Sequence, residues 1–88
     1  MPTIIAHHNI TKGTEHWLNS PKRTELFGQL GIKSIRTFVD PQDPTRVAIL
    51  MDVPDMDALA KAMQSEAAAD AMAFDGVVPD SLVILVES

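Results

Sequence analysis

Two adjacent histidines, His7 and His8, are the residues of this sequence best suited to proton transfer or metal binding. An imidazole has an ordinary pKa near neutrality and can therefore accept or donate a proton at physiological pH. Neighbouring side chains on a strand point to opposite faces of a sheet, so two such rings cannot reach one metal ion. The chain has no cysteine, which removes thiolate ligands and thiol catalysis. We therefore expect neither a metal site nor a cofactor.

The two histidines lie in a segment, residues 3–10, in which apolar and polar side chains alternate. This alternation predicts a β-strand with His8 and Ile10 on one face and His7 and Asn9 on the other. The face with Ile10 must join the core beneath the helices, which makes His8 a hydrogen-bonded core residue. His7 then faces away from the helices, where it acts as a proton carrier, orients a ligand, or serves as a structural hydrogen-bonding group.

Two further segments, residues 32–39 and 46–53, alternate in the same way and are separated by a turn-forming segment, residues 40–45. The pattern predicts an antiparallel hairpin. If paired residue numbers sum to 86, the apolar sides of both strands coincide, and a slip by one residue would destroy that match.

In this register Arg36 lies opposite Leu50 and diagonal to Asp52, on the same face as His7. Two interpretations stay open: Arg36 and Asp52 form an ion pair that is partly buried or lies at a dimer interface, or Asp52 holds the guanidinium toward an anionic or carbonyl-bearing ligand. The candidate catalytic residues are His7 and Arg36, and the candidate ligand-binding residues are Asn9, Asp52 and Leu50.

Helix signals occupy the rest of the chain. We predict helical regions over residues 14–30, with a break near Pro21, and 55–75, with a restart at Ser65; residues 81–87 form the last strand. The order β-α-β-β-α-β predicts an α+β, ferredoxin-like fold, a four-stranded antiparallel sheet with both helical regions on one face.

The predicted sheet has an apolar face that no helix covers. The last strand is apolar on both sides, and Ala48 and Leu50 are apolar on the uncovered side of the third strand. A face exposed to solvent would carry polar residues instead. A second copy of the sheet is the simplest cover, so we predict a homodimer in which two sheets close a barrel.

Composition limits the remaining possibilities. Eighty-eight residues form a single domain, residues 1–88. Seven basic and twelve acidic residues give a formal charge of −5, which disfavours nucleic acid and anionic membrane surfaces as partners. No segment approaches the ~20 apolar residues of a membrane span, and no signal peptide is recognisable, so we expect a cytoplasmic protein. Phosphate-binding glycine loops and the common hydrolase motifs are also missing.

Three segments resemble a known group of proteins: the junction Ile10-Thr11-Lys12-Gly13, the hairpin around Phe38-Val39-Asp40-Pro41 and Arg46-Val47, and the junction Gln64-Ser65-Glu66-Ala67-Ala68. In these the chain resembles the dimeric α+β-barrel superfamily, and within it the small antibiotic-biosynthesis-monooxygenase-like and muconolactone-isomerase-like proteins. The resemblance spans nearly the whole chain. Because that superfamily includes oxygenases, isomerases, haem-degrading proteins and proteins without known activity, it implies a fold but not one function.

Two functional hypotheses follow. The favoured one is a homodimer that binds a small apolar or aromatic metabolite in or beside the barrel. The alternative is a cofactor-independent monooxygenase- or isomerase-like enzyme in which His7 moves a proton and Arg36 steadies negative charge. A cavity of a few hundred Å³ that touches both His7 and Arg36 would favour a ligand site over a barrel filled by its own side chains.

Overall fold

A computed structural model describes residues 2–88 and gives one four-stranded antiparallel sheet with its helices on one face. The strands are β1 (Thr3–Asn9), β2 (Ile35–Asp40), β3 (Asp43–Asp52) and β4 (Val83–Val86); the helices are α1 (Thr14–Asn19), α2 (Lys22–Gly28), α3 (Met56–Met63) and α4 (Glu66–Asp75). A short 3₁₀ helix, Pro79–Ser81, precedes β4. The strand order β2-β3-β1-β4 is that of the ferredoxin-like fold, as predicted. Within residues 2–88, no helix has the length and apolar character that a membrane crossing requires.

The β2–β3 hairpin has the predicted register. Ile35 pairs with Met51, and Val39 pairs with Val47, so the paired numbers sum to 86. The prediction was wrong about where the third strand begins, because β3 starts at Asp43 rather than at residue 46. The register shifts after Val39 and brings Asp40 opposite Asp43, which leaves a tight turn in place of a longer loop.

The predicted break in the first helical region is confirmed. Helix α1 ends at Asn19 and α2 begins at Lys22, while the Ser20 hydroxyl accepts a hydrogen bond from the Lys22 N–H at 3.2 Å. β2, however, begins at Ile35, three residues later than predicted. Ile32 is buried but lies outside the sheet, because its N–H donates to the Phe27 carbonyl at the end of α2.

Side-chain caps define the two later helices as predicted. The Asp55 carboxylate accepts from two N–H groups at the start of α3, and the Ser65 hydroxyl accepts from the Ala68 N–H at the start of α4. Gly76 ends α4 with φ of 75°, a left-handed conformation that favours glycine. The backbone N–H of Thr11 then donates to the Gly76 carbonyl at 2.8 Å, which ties the end of α4 to the segment after β1.

The core lies between the sheet and the helices. Along β1 and beyond it, every second residue is buried against the helices, as the alternation predicted. Trp17 of α1 is 1% exposed and is among the largest fully buried side chains. The other buried apolar residues of this core are Ile4, Ala6, Ile10, Phe27, Ile32, Val47, Ile49, Met51, Val53 and Leu59.

The opposite side of the sheet, here called the open face, has no covering element among residues 2–88. Ile5, Phe38, Val83 and Leu85 lie on it and are each between 39% and 53% exposed. On β4, Ile84 and Val86 point the other way and are exposed as well, because no helix extends over this edge strand. The predicted uncovered apolar face is therefore present in the folded chain.

Candidate functional site

The sheet separates two cavities, and the histidine pair contributes one ring to each side. On the open face, a wide depression of about 610 Å³ lies beside the β2–β3 hairpin. We call it the open-face groove; its lining residues are His7, His8, Asn9, Phe38, Val39, Asp40, Asp43, Arg46, Val47, Ala48 and Ser81. The buried His8 ring itself packs against Trp17 on the helix side. The groove has the size expected of a ligand site, and it is open to solvent in the single chain.

The structure brings only part of the predicted site to this groove. His7 and Asn9 line it, whereas Arg36, Leu50 and Asp52 do not. Arg36 lies opposite Leu50, as predicted. Asp52 pairs with Thr3, which precedes His7 by four residues on β1, so Asp52 and His7 lie about 13 Å apart along the sheet.

Arg36 and Asp52 each have a different partner from the one that the ion-pair interpretation gives them. The Arg36 guanidinium lies 5.7 Å from the centre of the Phe38 ring. The Asp52 carboxylate accepts a hydrogen bond from the Thr3 hydroxyl at 2.5 Å. The two charged groups thus belong to separate parts of the open face in the single chain.

The second cavity, here called the internal chamber, lies between the sheet and helices α1, α2 and α4, with Met63 at the end of α3 also in its lining. It has a volume of about 70 Å³ and an apolar lining with three exceptions, His8, Arg23 and Asp75. The apolar lining residues are Ala6, Ile49, Val77, Leu82, Trp17, Leu26, Phe27, Met63, Ala68, Ala71 and Met72. Several of these, including Leu26, Met63 and Met72, are half-buried, so the chamber reaches toward the surface between the helices.

His8 is 7% exposed, which confirms its predicted place in the core. The predicted hydrogen bond is wrong, because neither ring nitrogen has a partner. The His8 and Trp17 rings make a T-shaped contact, with their centres 5.9 Å apart, and most of the surrounding lining is apolar. Burial lowers the pKa of His8, the positive charge of Arg23 lowers it further, and the negative charge of Asp75 opposes both. The ring is therefore neutral at pH 7, with one donor and one acceptor nitrogen.

Arg23 supplies a cation that α2 fixes at the side of the chamber. Its guanidinium carbon lies 4.5 Å from the centre of the Trp17 ring, and its Nη1 donates to the Trp17 carbonyl at 3.3 Å. Burial lowers the pKa of Arg23 and Asp75 opposes that shift, but a guanidinium remains charged at neutral pH.

Asp75 is the last residue of α4 and is 5% exposed, and its Oδ1 atom has no hydrogen-bond partner. A carboxylate at a helix C-terminus meets the negative end of the helix dipole, so this position does not favour it. Sequence reasoning missed both Asp75 and Arg23. The signal for Asp75 was present, since it follows Ala68 and Ala71 on the buried face of α4, where a charge is unusual.

The helix that carries Trp17 is fastened to the end of α4. The Lys12 ammonium donates to the Ala73 carbonyl at 3.0 Å, and the His16 Nε2 atom lies 2.6 Å from the Phe74 carbonyl. The His16 and Phe74 rings also pack against each other, with their centres 5.1 Å apart. These contacts hold the Trp17 wall of the chamber next to the Asp75 wall.

Comparison with known proteins shows the fold. No protein-family profile matches the chain, and no curated protein matches its sequence. Solved structures do match. An antibiotic biosynthesis monooxygenase is 19% identical, with 100% of this chain and 97% of that chain covered and a TM-score of 0.64. SnoaB, a cofactor-independent oxygenase from Streptomyces nogalater, is 10% identical, with 98% and 87% covered and a TM-score of 0.65.

A protein of the ethyl tert-butyl ether d (ethd) family from Bacillus halodurans is 19% identical, with 100% of this chain and 97% of that chain covered and a TM-score of 0.58. The chain therefore has the fold of the antibiotic-biosynthesis-monooxygenase-like proteins, as its sequence motifs indicated. Identities of this size establish the fold alone.

Proposed function

We propose that this protein is a homodimer that binds a small, mostly apolar or aromatic molecule beside the barrel, with the polar part of the ligand in the internal chamber. The observation that carries this proposal is the set of unpartnered, buried polar atoms on His8 and Asp75. Each such atom costs on the order of 1–3 kcal/mol when it has no partner. A ligand that partners these atoms and lies against the apolar lining would recover that free energy.

The homodimer is supported by the exposed apolar residues of the open face. Leu85 and Val83 would lie against the second sheet, together with Ile5 and Phe38, and closure would also cover the open-face groove. Sedimentation equilibrium should give twice the chain mass of 9.6 kDa. A monomer that persists at micromolar concentration would contradict the barrel.

The binding proposal is tested by following both histidine rings by NMR while phenolic and other small aromatic compounds are added. His7 and His8 are adjacent on β1, so their rings lie on opposite faces of the sheet, and of the two only His8 lines the chamber. Each ring therefore reports on its own side. A saturable shift of the His8 resonances supports the chamber. A shift confined to His7 would place the ligand in the barrel instead, and no shift of either ring would contradict ligand binding altogether.

A second candidate function is a cofactor-independent, monooxygenase-like reaction, and the neutral His8 ring beside the Arg23 guanidinium favours it. His8 would take a proton from an O–H or an acidified C–H of the substrate, and Arg23 would stabilise the resulting anion. Dioxygen as co-substrate would then oxidise the electron-rich anion: one oxygen atom forms a new C=O group on the substrate carbon, and the other leaves as water with the two hydrogens that the substrate loses. Oxygen uptake with hydroxyarenes or 1,3-diketones tests this: His8→Leu should abolish uptake, and His7→Leu should retain it.

The open-face site remains a separate proposal, with His7 and Arg36 as functional residues and Asn9, Asp52 and Leu50 as ligand contacts. It requires the partner subunit to enclose the groove and to bring Arg36 toward it. If Arg36→Met and His7→Phe keep or raise stability while they abolish binding, this site is functional. If both weaken folding and no compound binds, these residues serve the structure.

A further inference from the structure

The internal chamber restricts the chemistry of a bound ligand through the number and charge of its polar atoms and through its volume. On the basis of the proposed binding function, we propose that the chamber recognises a compact, neutral group of about three non-hydrogen atoms that carries both a hydrogen-bond donor and an acceptor. A primary amide is the simplest group of this class. The three steps of the argument concern hydrogen bonds, charge and size.

The hydrogen-bond inventory of the chamber requires a donor and an acceptor in the same occupant. A neutral His8 ring presents one N–H donor and one acceptor nitrogen, and both are unpartnered. The Asp75 Oδ1 atom is an acceptor that also has no partner. An occupant with acceptors alone would leave two of the three atoms unsatisfied, and one with donors alone would leave the His8 N–H unsatisfied.

The charges around the chamber favour a neutral occupant. Arg23 and Asp75 carry opposite formal charges that face the same cavity, and His8 adds none when neutral. An anion placed there would meet Asp75, and a cation would meet Arg23. Since the rest of the lining is apolar, an extra uncompensated charge in this space costs far more than a neutral dipole does.

The volume sets the size of the group. An apolar cavity of about 150 Å³ binds benzene, with six carbon atoms. The chamber has about 70 Å³, roughly half of that, so it admits about three non-hydrogen atoms. Any larger apolar part of the ligand must extend outward between half-buried side chains such as Leu26 and Met72.

Ordered water is the competing occupant, because water is neutral and supplies both donors and acceptors. A water cluster would satisfy His8 and Asp75 without any ligand. The proposal differs in that a molecule of the stated class should displace water and be selected over charged molecules of the same shape.

Three probes with one shape and different charge test the selection: acetamide is neutral, acetate is an anion, and acetamidinium is a cation. We expect acetamide to shift the His8 ring resonances saturably, with a Kd in the millimolar range. Acetate and acetamidinium should bind at least tenfold more weakly. Xenon under pressure serves as an apolar probe of the cavity itself.

The Asp75→Asn substitution keeps the side-chain volume and removes the negative charge. It should raise the affinity for acetate relative to acetamidinium by at least tenfold, while the matched variant Asp70→Asn, at an exposed position on the same helix, should leave the ratio unchanged. If Asp75→Asn fails to fold, the relative affinities of acetamide, acetate and acetamidinium for the unsubstituted protein still test the selection for a neutral group.

The outcomes separate this inference from the proposed function. Acetate or acetamidinium binding as well as acetamide overturns the inference, and so does a chamber that binds xenon or aromatic compounds but no acetamide. In both cases the chamber remains a binding site. If neither xenon nor any compound perturbs His8, the chamber is filled by water or side chains, and the proposed function fails together with the inference.

Discussion

His7 and His8 are consecutive in the sequence but lie in two different environments. His7 lies on the open face, half-buried, next to a wide groove that a single chain leaves exposed to solvent. His8 lies on the helix side in a small chamber, without a hydrogen-bond partner and with a lowered pKa. Both residues are histidines on the same strand, so the difference between their surroundings arises from what covers each face of the sheet.

This contrast explains why a chemical role is easier to assign to the helix side of the sheet than to the open face. The helix side is complete within one chain, because α1, α2 and α4 enclose the chamber and fix His8, Arg23 and Asp75 around it. The open face is incomplete, because its apolar residues and its groove lack a cover. Substitutions on the two sides should therefore affect different properties of the protein.

The largest effect is expected from removal of the Trp17 side chain. Trp17→Ala should lower the free energy of unfolding by about 3–5 kcal/mol, because it removes a fully buried ring that packs against His8 and Arg23. Phe38→Ala removes an aromatic ring of the open face that is 43% exposed. At concentrations where the chain is monomeric, its cost in urea unfolding should be below 1.5 kcal/mol. Equal costs would contradict the contrast between the faces.

A charge on the open face of the edge strand β4 should affect assembly. Leu85→Asp should weaken self-association about 100-fold, which corresponds to about 3 kcal/mol, because closure would bury an unpaired carboxylate. Leu18→Asp places the same charge on a comparably exposed leucine of α1 and should leave the oligomeric state unchanged. Analytical ultracentrifugation measures both. Dissociation by Leu18→Asp instead would move the interface to the helices.

The pH dependence of stability should distinguish the two histidines. Since burial holds the pKa of His8 below its ordinary value of 6.5, the unfolded chain binds a proton more readily than the folded chain does. The free energy of unfolding should therefore decrease as the pH falls below about 6.5, by at most about 1.4 kcal/mol per pH unit, until the folded chain is protonated too.

His8→Leu should flatten this part of the profile, and His7→Leu should preserve it. Urea unfolding between pH 7.5 and 5.5 provides the measurement. If only His7→Leu flattens the profile, the pH dependence arises from the open face, and the prediction for His8 is wrong.

The smallest expected effect is that of chelation. The two rings lie on opposite faces, and within residues 2–88 no group of three or more potential ligands is placed to hold a metal ion. Exhaustive chelation should leave the thermal midpoint unchanged. A large decrease with stoichiometric release of zinc or iron would indicate a ligand set shared between subunits.

The sequence correctly predicted the structural elements that are determined by local residue patterns. The alternation along β1 placed His8 and Ile10 in the core, and the pairing rule for the hairpin gave the correct partners for Ile35 and Val39. The predicted start of β2 was wrong because the Ile32 N–H bonds to the end of α2 and not to the sheet. The predicted start of β3 was wrong because a register shift allows Asp43 to pair with Asp40.

The candidate site was harder to predict, since its residues meet only through tertiary packing. His8, Arg23 and Asp75 come from three separate elements, and no spacing in the sequence relates them. The open-face residues His7 and Asn9 were placed correctly on their strand by its periodicity. Periodicity could not reveal that Arg36 would lie over Phe38, because that choice depends on the side-chain conformation.

The position of β1 in the sheet also has a consequence for biosynthesis. β1 lies between β3 and β4, so the strand made first is completed by the strand made last. During translation β1 can pair with β3 once residue 52 has left the ribosome, but its other edge stays open until residues 83–86 emerge. That edge is flanked by Ile4 and Ala6, and an unpaired apolar edge is prone to pair with another chain. This edge of β1 is therefore available for pairing with another chain until β4 has been made.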